Sequence, residues 1–338
     1  MQSTIQAANN SAQAQTAQEV FHLIKHELAL VEEEFERQLR SNIQIISHIG
    51  NYLREAGGKR VRPALLLLAV KLCGAPVNRS AIRLSAVMEF IHTATLVHDD
   101  IIDNADMRRG RPSVNAEWGN EITVLMGDWL YMSAFEATLK ERNFEILDIL
   151  TNMTRRMTEG ELVQLVLRGR LDVTEEQHLD IVRCKTAYLF SACAEVGAIL
   201  GGATREQQQA LRDYGLYLGI AFQLIDDVLD FTSTEKRLGK PVVNDLREGK
   251  LTLPLIYLLE IDSGKYERKL QTIMQKRLNG FDAEEVIALV KENGTLKRAE
   301  LEAHKYAEMA RQTLSVFPDS EVRQVLLKIP DYIVERDR

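Results

Sequence analysis

Apolar positions along this chain recur mainly at steps of three and four residues. Val20, Ile24, Leu28, Val31, Phe35 and Leu39 trace one such stripe, which is the spacing of a single helix face. Similar stripes near 79–105, 121–142, 144–168, 174–201 and 204–231 predict core helices of about 20 residues or more. Thr174 with Gln177 and Thr204 with Gln207 have the capping-box spacing of helix starts. Gly57-Gly58, Gly201-Gly202 and Gly294 mark stops. All seven prolines are expected at breaks, and none lies between Pro112 and Pro241. That interval suits long helices, because an interior proline costs about 3 kcal/mol. No alternating strand run with a hairpin turn stands out. The pattern predicts an all-α fold, a single-domain bundle of long helices around a central cavity, over residues 18–338.

The longest apolar run, "ALLLLAV" at 64–70, is far shorter than the roughly 20 residues of a membrane span. Residues 1–17, "MQSTIQAANNSAQAQTA", hold no Lys or Arg and no apolar centre. They fit neither a signal nor a transit peptide, and their polar composition predicts a disordered tail.

Composition narrows the function. With 338 residues, 45% of them hydrophobic, the chain can bury a large core. A net charge of -7 argues against nucleic-acid partners, which want a basic face. Any cationic site must therefore be local. The three cysteines lack CxxC spacing, so reduced thiols in a cytoplasmic protein are expected, not disulfides or zinc.

The exception to this ordinary picture is "LVHDDIIDNADMRRGRP" at 96–112, and its partial copy "QLIDDVLDF" at 223–231. Each DDxxD follows an apolar helical run. Each is followed by Gly-basic-Pro, at Gly110-Arg111-Pro112 and Gly239-Lys240-Pro241. Residues four apart share a helix face, pairing Asp99 with Asp103 and Asp226 with Asp230. Such pairs repel unless a divalent cation lies between them. Oxygen ligands without His or Cys select Mg²⁺ or Mn²⁺ over zinc. A solvated helix end explains one DDxxD as well as a metal does; two copies in the same context favour a diphosphate clamp. Cations to match are present. "GGKRVRP" at 57–63 sets Lys59, Arg60 and Arg62 in a glycine-rich helix junction where backbone amides can meet an anion, and it is not a P-loop. Arg108 and Arg109 follow the first motif, and arginine suits bidentate phosphate contact. Lys185-Thr186 interrupts an apolar helix, so Lys185 either snorkels or faces a polar cavity. Lys240 and Lys250 lie in a loop over 232–252, long enough to be a lid. His92 precedes Asp99 by two turns, as a ligand-facing or a core histidine.

As a set, "GGKRVRP", "HTATLVHDDIIDNADMRRGRPS", "GDWL", "KTA", "FQLIDDVLDF" and "GKPVVNDLREGKLTLP" resemble the polyprenyl synthetase family, the trans-isoprenyl diphosphate synthases, over about residues 20–338. The resemblance implies a homodimeric Mg²⁺-dependent prenyltransferase using two or three ions, with Mn²⁺ as a substitute. It implies metal ligands Asp99, Asp100, Asp103, Asp226, Asp227 and Asp230. Lys59, Arg62, His92 and Arg109 would hold isopentenyl diphosphate. Arg108, Lys185, Thr186, Gln223, Lys240 and Lys250 would hold the allylic diphosphate. Asp99, Asp103, Asp226, Lys185 and Lys240 form the expected catalytic set, and Arg336 and Arg338 could approach the closed site. In short-chain members a bulky aromatic near one turn below the first motif stops growth. Ala94 and Thr95 stand here, about 5.4 Å below Asp99, so a long product of about C30 to C50, octaprenyl at best guess, is expected. Met88, Ile91, Tyr131, Met132 and Phe135 are candidates for the tunnel floor, against ordinary core packing. The product could contact a membrane transiently on release. The alternatives are a short-chain synthase, a class I terpene cyclase, a non-catalytic partner subunit and a helical scaffold.

Overall fold

The computed structural model describes residues 2–108, 110–233, 242–275 and 283–335, with the backbone alone given for 2–18, 20, 21 and 275. Helix α1 spans Gln2–Leu39, α2 Gln44–Glu55, α3 Val61–Leu72 and α4 Arg79–Ile102. A two-residue hairpin follows, β1 Met107–Arg108 against β2 Arg111–Pro112, which the hydrophobic pattern did not anticipate. Then come α5 Val114–Trp118, α6 Asn120–Leu139, α7 Phe144–Leu167 and α8 Glu175–Val182. A π-turn at Arg183–Ala187 leads into α9 Tyr188–Leu200 and α10 Arg205–Thr232. The rest is α11 Asn244–Arg247, α12 Leu253–Ile261, α13 Ser263–Gln275, α14 Ala283–Glu292, α15 Thr295–Thr313 and α16 Glu321–Val334.

Both predicted capping boxes form, at Thr174/Gln177 and Thr204/Gln207. The predicted long helices match α4, α6, α7, α8 with α9, and α10 to within a few residues. Helical backbone begins at Gln2, where a disordered tail was expected. Alanine and glutamine are good helix formers even without an apolar face.

The core explains the order of the helices. α3 is apolar all round, and Leu65 through Val70 are buried, as expected for a helix enclosed by others. It packs on α4 and α9; α9 packs on α10, and α4 on α6. Gly197 makes the α3–α9 approach possible, since a Cβ there would lie 2.5 Å from the Leu66 carbonyl oxygen. The C-terminal ends of α4 and α10, which carry the two acidic motifs, are thus set around one space.

One proline departs from expectation. Pro330 sits inside α16, not at a break. It has no N–H for the Leu326 carbonyl four residues earlier. The fully buried Tyr214 hydroxyl of α10 donates to that oxygen instead, at 2.7 Å. Tyr214→Phe should therefore cost about 1–3 kcal/mol, the usual penalty for a buried acceptor left unmade. Thermal melting should show a drop of several degrees; an unchanged midpoint would contradict this assignment.

Candidate active site

The acidic motifs face one cavity of about 850 Å³. From the first, Asp99 and Asp103 line it, as their four-residue spacing requires. Asp100 points about 100° away around the helix, is 2% exposed, and is bound by the Arg108 guanidinium. From the second motif Asp226 and Asp227 line the cavity. Asp230, expected beside Asp226, does not. It is 1% exposed, and its two carboxylate oxygens accept the backbone N–H groups of Asn244 and Asp245, each at 3.1 Å. Helix periodicity cannot foresee this, because the amides come from a later segment.

The predicted cations and polar partners converge on the same space. Lys59, Arg62, His92, Thr95, Arg108, Lys185, Thr186, Gln223 and Lys250 all line it. Arg109, Lys240, Arg336 and Arg338 lie outside the described residues, as do residues 234–241 of the 232–252 loop. Arg60 has a structural role: it pairs with Glu32 of α1 and, at 2.7 Å, with Glu89 of α4. Arg62 stacks its guanidinium over Phe190 at 5.1 Å.

Lys185 and Thr186 lie in the π-turn, where one extra residue per turn re-aims the side chains between α8 and α9. Lys185 Nζ reaches Glu161 and Gln164 of α7, each at 2.5 Å. Gly160 permits that neighbourhood, since a Cβ there would lie 2.4 Å from Cys184 Cβ. Thr186 donates to the Gln223 amide oxygen at 2.8 Å, and the Gln223 amide nitrogen donates to Asp227 at 3.0 Å. Buried His178 of α8 holds the other Asp227 oxygen at 3.0 Å.

The segment after α10 closes the circuit between the motifs. Lys250 Nζ lies 3.3 Å from both Asp103 oxygens and 2.6 Å from Glu248. Arg168 donates to Asp103 at 3.0 Å and to the Glu248 carbonyl at 2.7 Å. Burial opposes the Lys250 charge, but Asp103 and Glu248 outweigh it and raise its pKa. Burial pushes the Asp99 carboxyl up to about 6; Glu161 and Asp103 add to the rise, and Lys185 and Arg108 oppose it. Val243, buried and β-branched, sits in the left-handed region at φ 54°, a conformation that costs about 1–2 kcal/mol.

Glu161, Gln164, Arg168, His178, Asp245 and Glu248 are site residues that the sequence did not single out. Asp245 and Glu248 lie within the quoted 239–254 motif without having been given a role, and Glu161, Gln164, Arg168 and His178 reach the site through partners distant in the chain. The floor candidates divide. Thr95 lines the cavity, whereas Met88, Ile91 and Ala94 are fully buried outside its lining. Tyr131 stacks near His98 with ring centroids 5.8 Å apart, and Phe135 packs against the core. Met132 faces outward, 63% exposed on the far side of α6, because it falls on the helix face opposite the buried Met126, Leu130 and Ala134.

Asp99, Asp103, Asp226 and Asp227 offer hard oxygen donors, and burial leaves Asp99 short of positive charge. Among the described residues no three Asp, Glu, His or Cys side chains converge on one point. This donor set fits Mg²⁺, which keeps waters and takes one or two carboxylates together with substrate oxygens.

Among the described residues, no helix is long and apolar enough to cross a membrane. Residues 43–291 match the polyprenyl synthetase family. The chain is 37% identical over 321 residues to the octaprenyl diphosphate synthase of Escherichia coli (strain K12), covering 95% of this chain and 99% of that one. It is 38% identical over 296 residues to the geranylgeranyl diphosphate synthase of Methanosarcina mazei, covering 85% and 88%. The crystal structure of a polyprenyl synthase from Caulobacter crescentus CB15, complexed with calcium and isoprenyl diphosphate, superposes with a TM-score of 0.90 at 35% identity, covering 95% of this chain and 98% of that one. The chain belongs to the polyprenyl synthetase family and is a prenyltransferase.

Proposed function

We propose that the enzyme condenses isopentenyl diphosphate with an allylic diphosphate in successive trans additions, releasing a long-chain prenyl diphosphate of octaprenyl-like length. The observation that carries this reading is the meeting of both acidic motifs with Lys59, Arg62, Lys185 and Lys250 around one cavity. A divalent ion held by Asp99, Asp103, Asp226 and Asp227 would supply charge neutralisation for the leaving diphosphate.

The chain's own groups do the rest. Arg108, Lys185, Thr186, Gln223 and Lys250 orient the allylic diphosphate, and the positive charge of Arg108, Lys185 and Lys250 favours its departure as the allylic C–O bond breaks. Lys59, Arg62 and His92 hold isopentenyl diphosphate so that its alkene faces the cation. A new C–C bond forms, and the proton lost goes to the released diphosphate. The apolar walls at Met157, Val182, Leu189 and Phe222 keep water from the cation.

Support for a long product comes from the small Thr95, which lines the cavity below Asp99. The protein acts in the cytoplasm as a homodimer on this reading. Its support is the exposed apolar stripe of Ile122, Leu125, Met132 and Leu139 on α6, with Leu162, Val163 and Val166 on α7, a patch of the kind that marks association surfaces. Purified protein given farnesyl diphosphate, labelled isopentenyl diphosphate and Mg²⁺ should extend the primer well past geranylgeranyl length, and EDTA should stop it. Products ending at geranylgeranyl or shorter would reject the long-chain assignment; metal-independent turnover would reject the metal.

A further inference from the structure

Asp230 belongs to the second acidic motif, yet each of its three oxygens accepts a backbone N–H of the chain. Its backbone carbonyl accepts the N–H of Val243 at 2.8 Å. Its two carboxylate oxygens accept those of Asn244 and Asp245. Three successive amides thus wrap one residue. Val243 is left-handed and Asn244 helical, the alternation that turns consecutive N–H groups into an anion-binding concavity. Here the anion is a side chain of the protein, and it holds a β-branched residue in a conformation such residues avoid.

What the anchored turn carries is a site cation. The Lys250 N–H donates to the Asp245 carbonyl at 2.7 Å, and the Gly169 N–H donates to the Gly249 carbonyl at 2.8 Å. Leu246 and Leu251 are buried on either side of Lys250. The turn is therefore fixed at one end by Asp230 and at the other by Gly169, just past the end of α7, with Lys250 Nζ delivered to Asp103 of the first motif.

We infer that Asp230 is a positioning residue, not a metal ligand: it locks the 243–245 amides and thereby places Lys250 against Asp103, joining the two acidic motifs through the protein. Only the kinetic part of its test rests on the prenyl-transfer reading.

In wild-type protein the amides of Val243, Asn244 and Asp245 should be protected from hydrogen exchange, although they open a helix of only four residues. Asp230→Asn keeps the shape but turns an NH₂ toward one amide. Exchange at these positions should rise about tenfold, as for loss of a hydrogen bond to a charged acceptor. Prenyl transfer should fall by a similar factor, with the Mg²⁺ concentration for half-maximal activity unchanged. Asp230→Asn combined with Lys250→Ala should be no worse than Lys250→Ala alone, because both act through one cation. Unprotected amides in the wild type, or unaltered exchange in Asp230→Asn, would overturn the inference. So would a large rise in Mg²⁺ requirement or multiplying losses in the double variant. If wild-type protein transfers no prenyl group, the function reading fails, and the exchange results still decide the role of Asp230.

Discussion

Asp99→Asn should abolish most prenyl transfer while leaving the metal-free protein as stable as before, or more so. The substitution keeps the shape and removes the charge. Activity should drop on the order of 10²–10³-fold, the usual loss when one preorganised electrostatic group is withdrawn. Stability moves the other way because burial raises the Asp99 carboxyl to about 6. A carboxyl with a raised folded pKa weakens the fold above that pKa. At pH 7.5 the wild type bears this penalty in full and the asparagine variant does not. The penalty shrinks as pH falls through about 6 and is gone below the unfolded value near 4. Melting curves of the two proteins without metal should therefore differ at pH 7.5 and converge toward pH 4. A variant that melts well below the wild type at pH 7.5, or one that keeps its activity, would remove Asp99 from the role given to it.

Gly219→Ala should damage fold and activity together. A Cβ on Gly219 would lie 2.6 Å from Ala187 Cα and 3.1 Å from the Cβ atoms of Ala187 and Phe190. No flexible side chain can yield there, so α10 must move away from the π-turn. The cost should approach about 3 kcal/mol, the upper end for overpacking. Ala187 closes the turn that presents Lys185 and Thr186, and Gln223 lies one helical turn beyond Gly219 on the same face. A shift of about 1 Å at these groups can reduce turnover on the order of 10²-fold. Gly264→Ala is the control. Its Cβ would meet only Asp262 Oδ1 at 3.6 Å, an ordinary contact, and neither melting nor turnover should change. Native melting and full turnover in Gly219→Ala would show that the two helices have slack.

What could be read in the sequence follows from the range of the interaction involved. Helices and their starts rest on neighbours within four residues, so the apolar stripes and both capping boxes foretold them. The pairing of Asp99 with Asp103 on the cavity wall has the same origin. The same rule misplaced Asp230, because amides from residues 244 and 245 claim it. It misjudged Pro330 because the replacement donor, Tyr214, lies on another helix. His178 and Arg168 escaped notice since their acidic partners are 49 and 65 residues away. The π-turn escaped it too, because Lys185-Thr186 looks like a plain break in an apolar run.

Among the described residues the cleft is close to neutral, and most of its basic groups are paired with carboxylates. Among the described residues its wall sets Lys59, Arg60, Arg62, Arg108, Arg168, Lys185 and Lys250 against Glu89, Asp99, Asp103, Asp226, Asp227 and Asp245, within a chain of net charge -7. Such a surface exerts little long-range pull on an anion in bulk solvent. Encounter is then governed by ordinary diffusion, and recognition begins only inside the screening distance, about 8 Å at physiological ionic strength. There a diphosphate can trade places with carboxylates already seated on the basic groups, so selectivity is exercised by exchange at close range and not by attraction from afar.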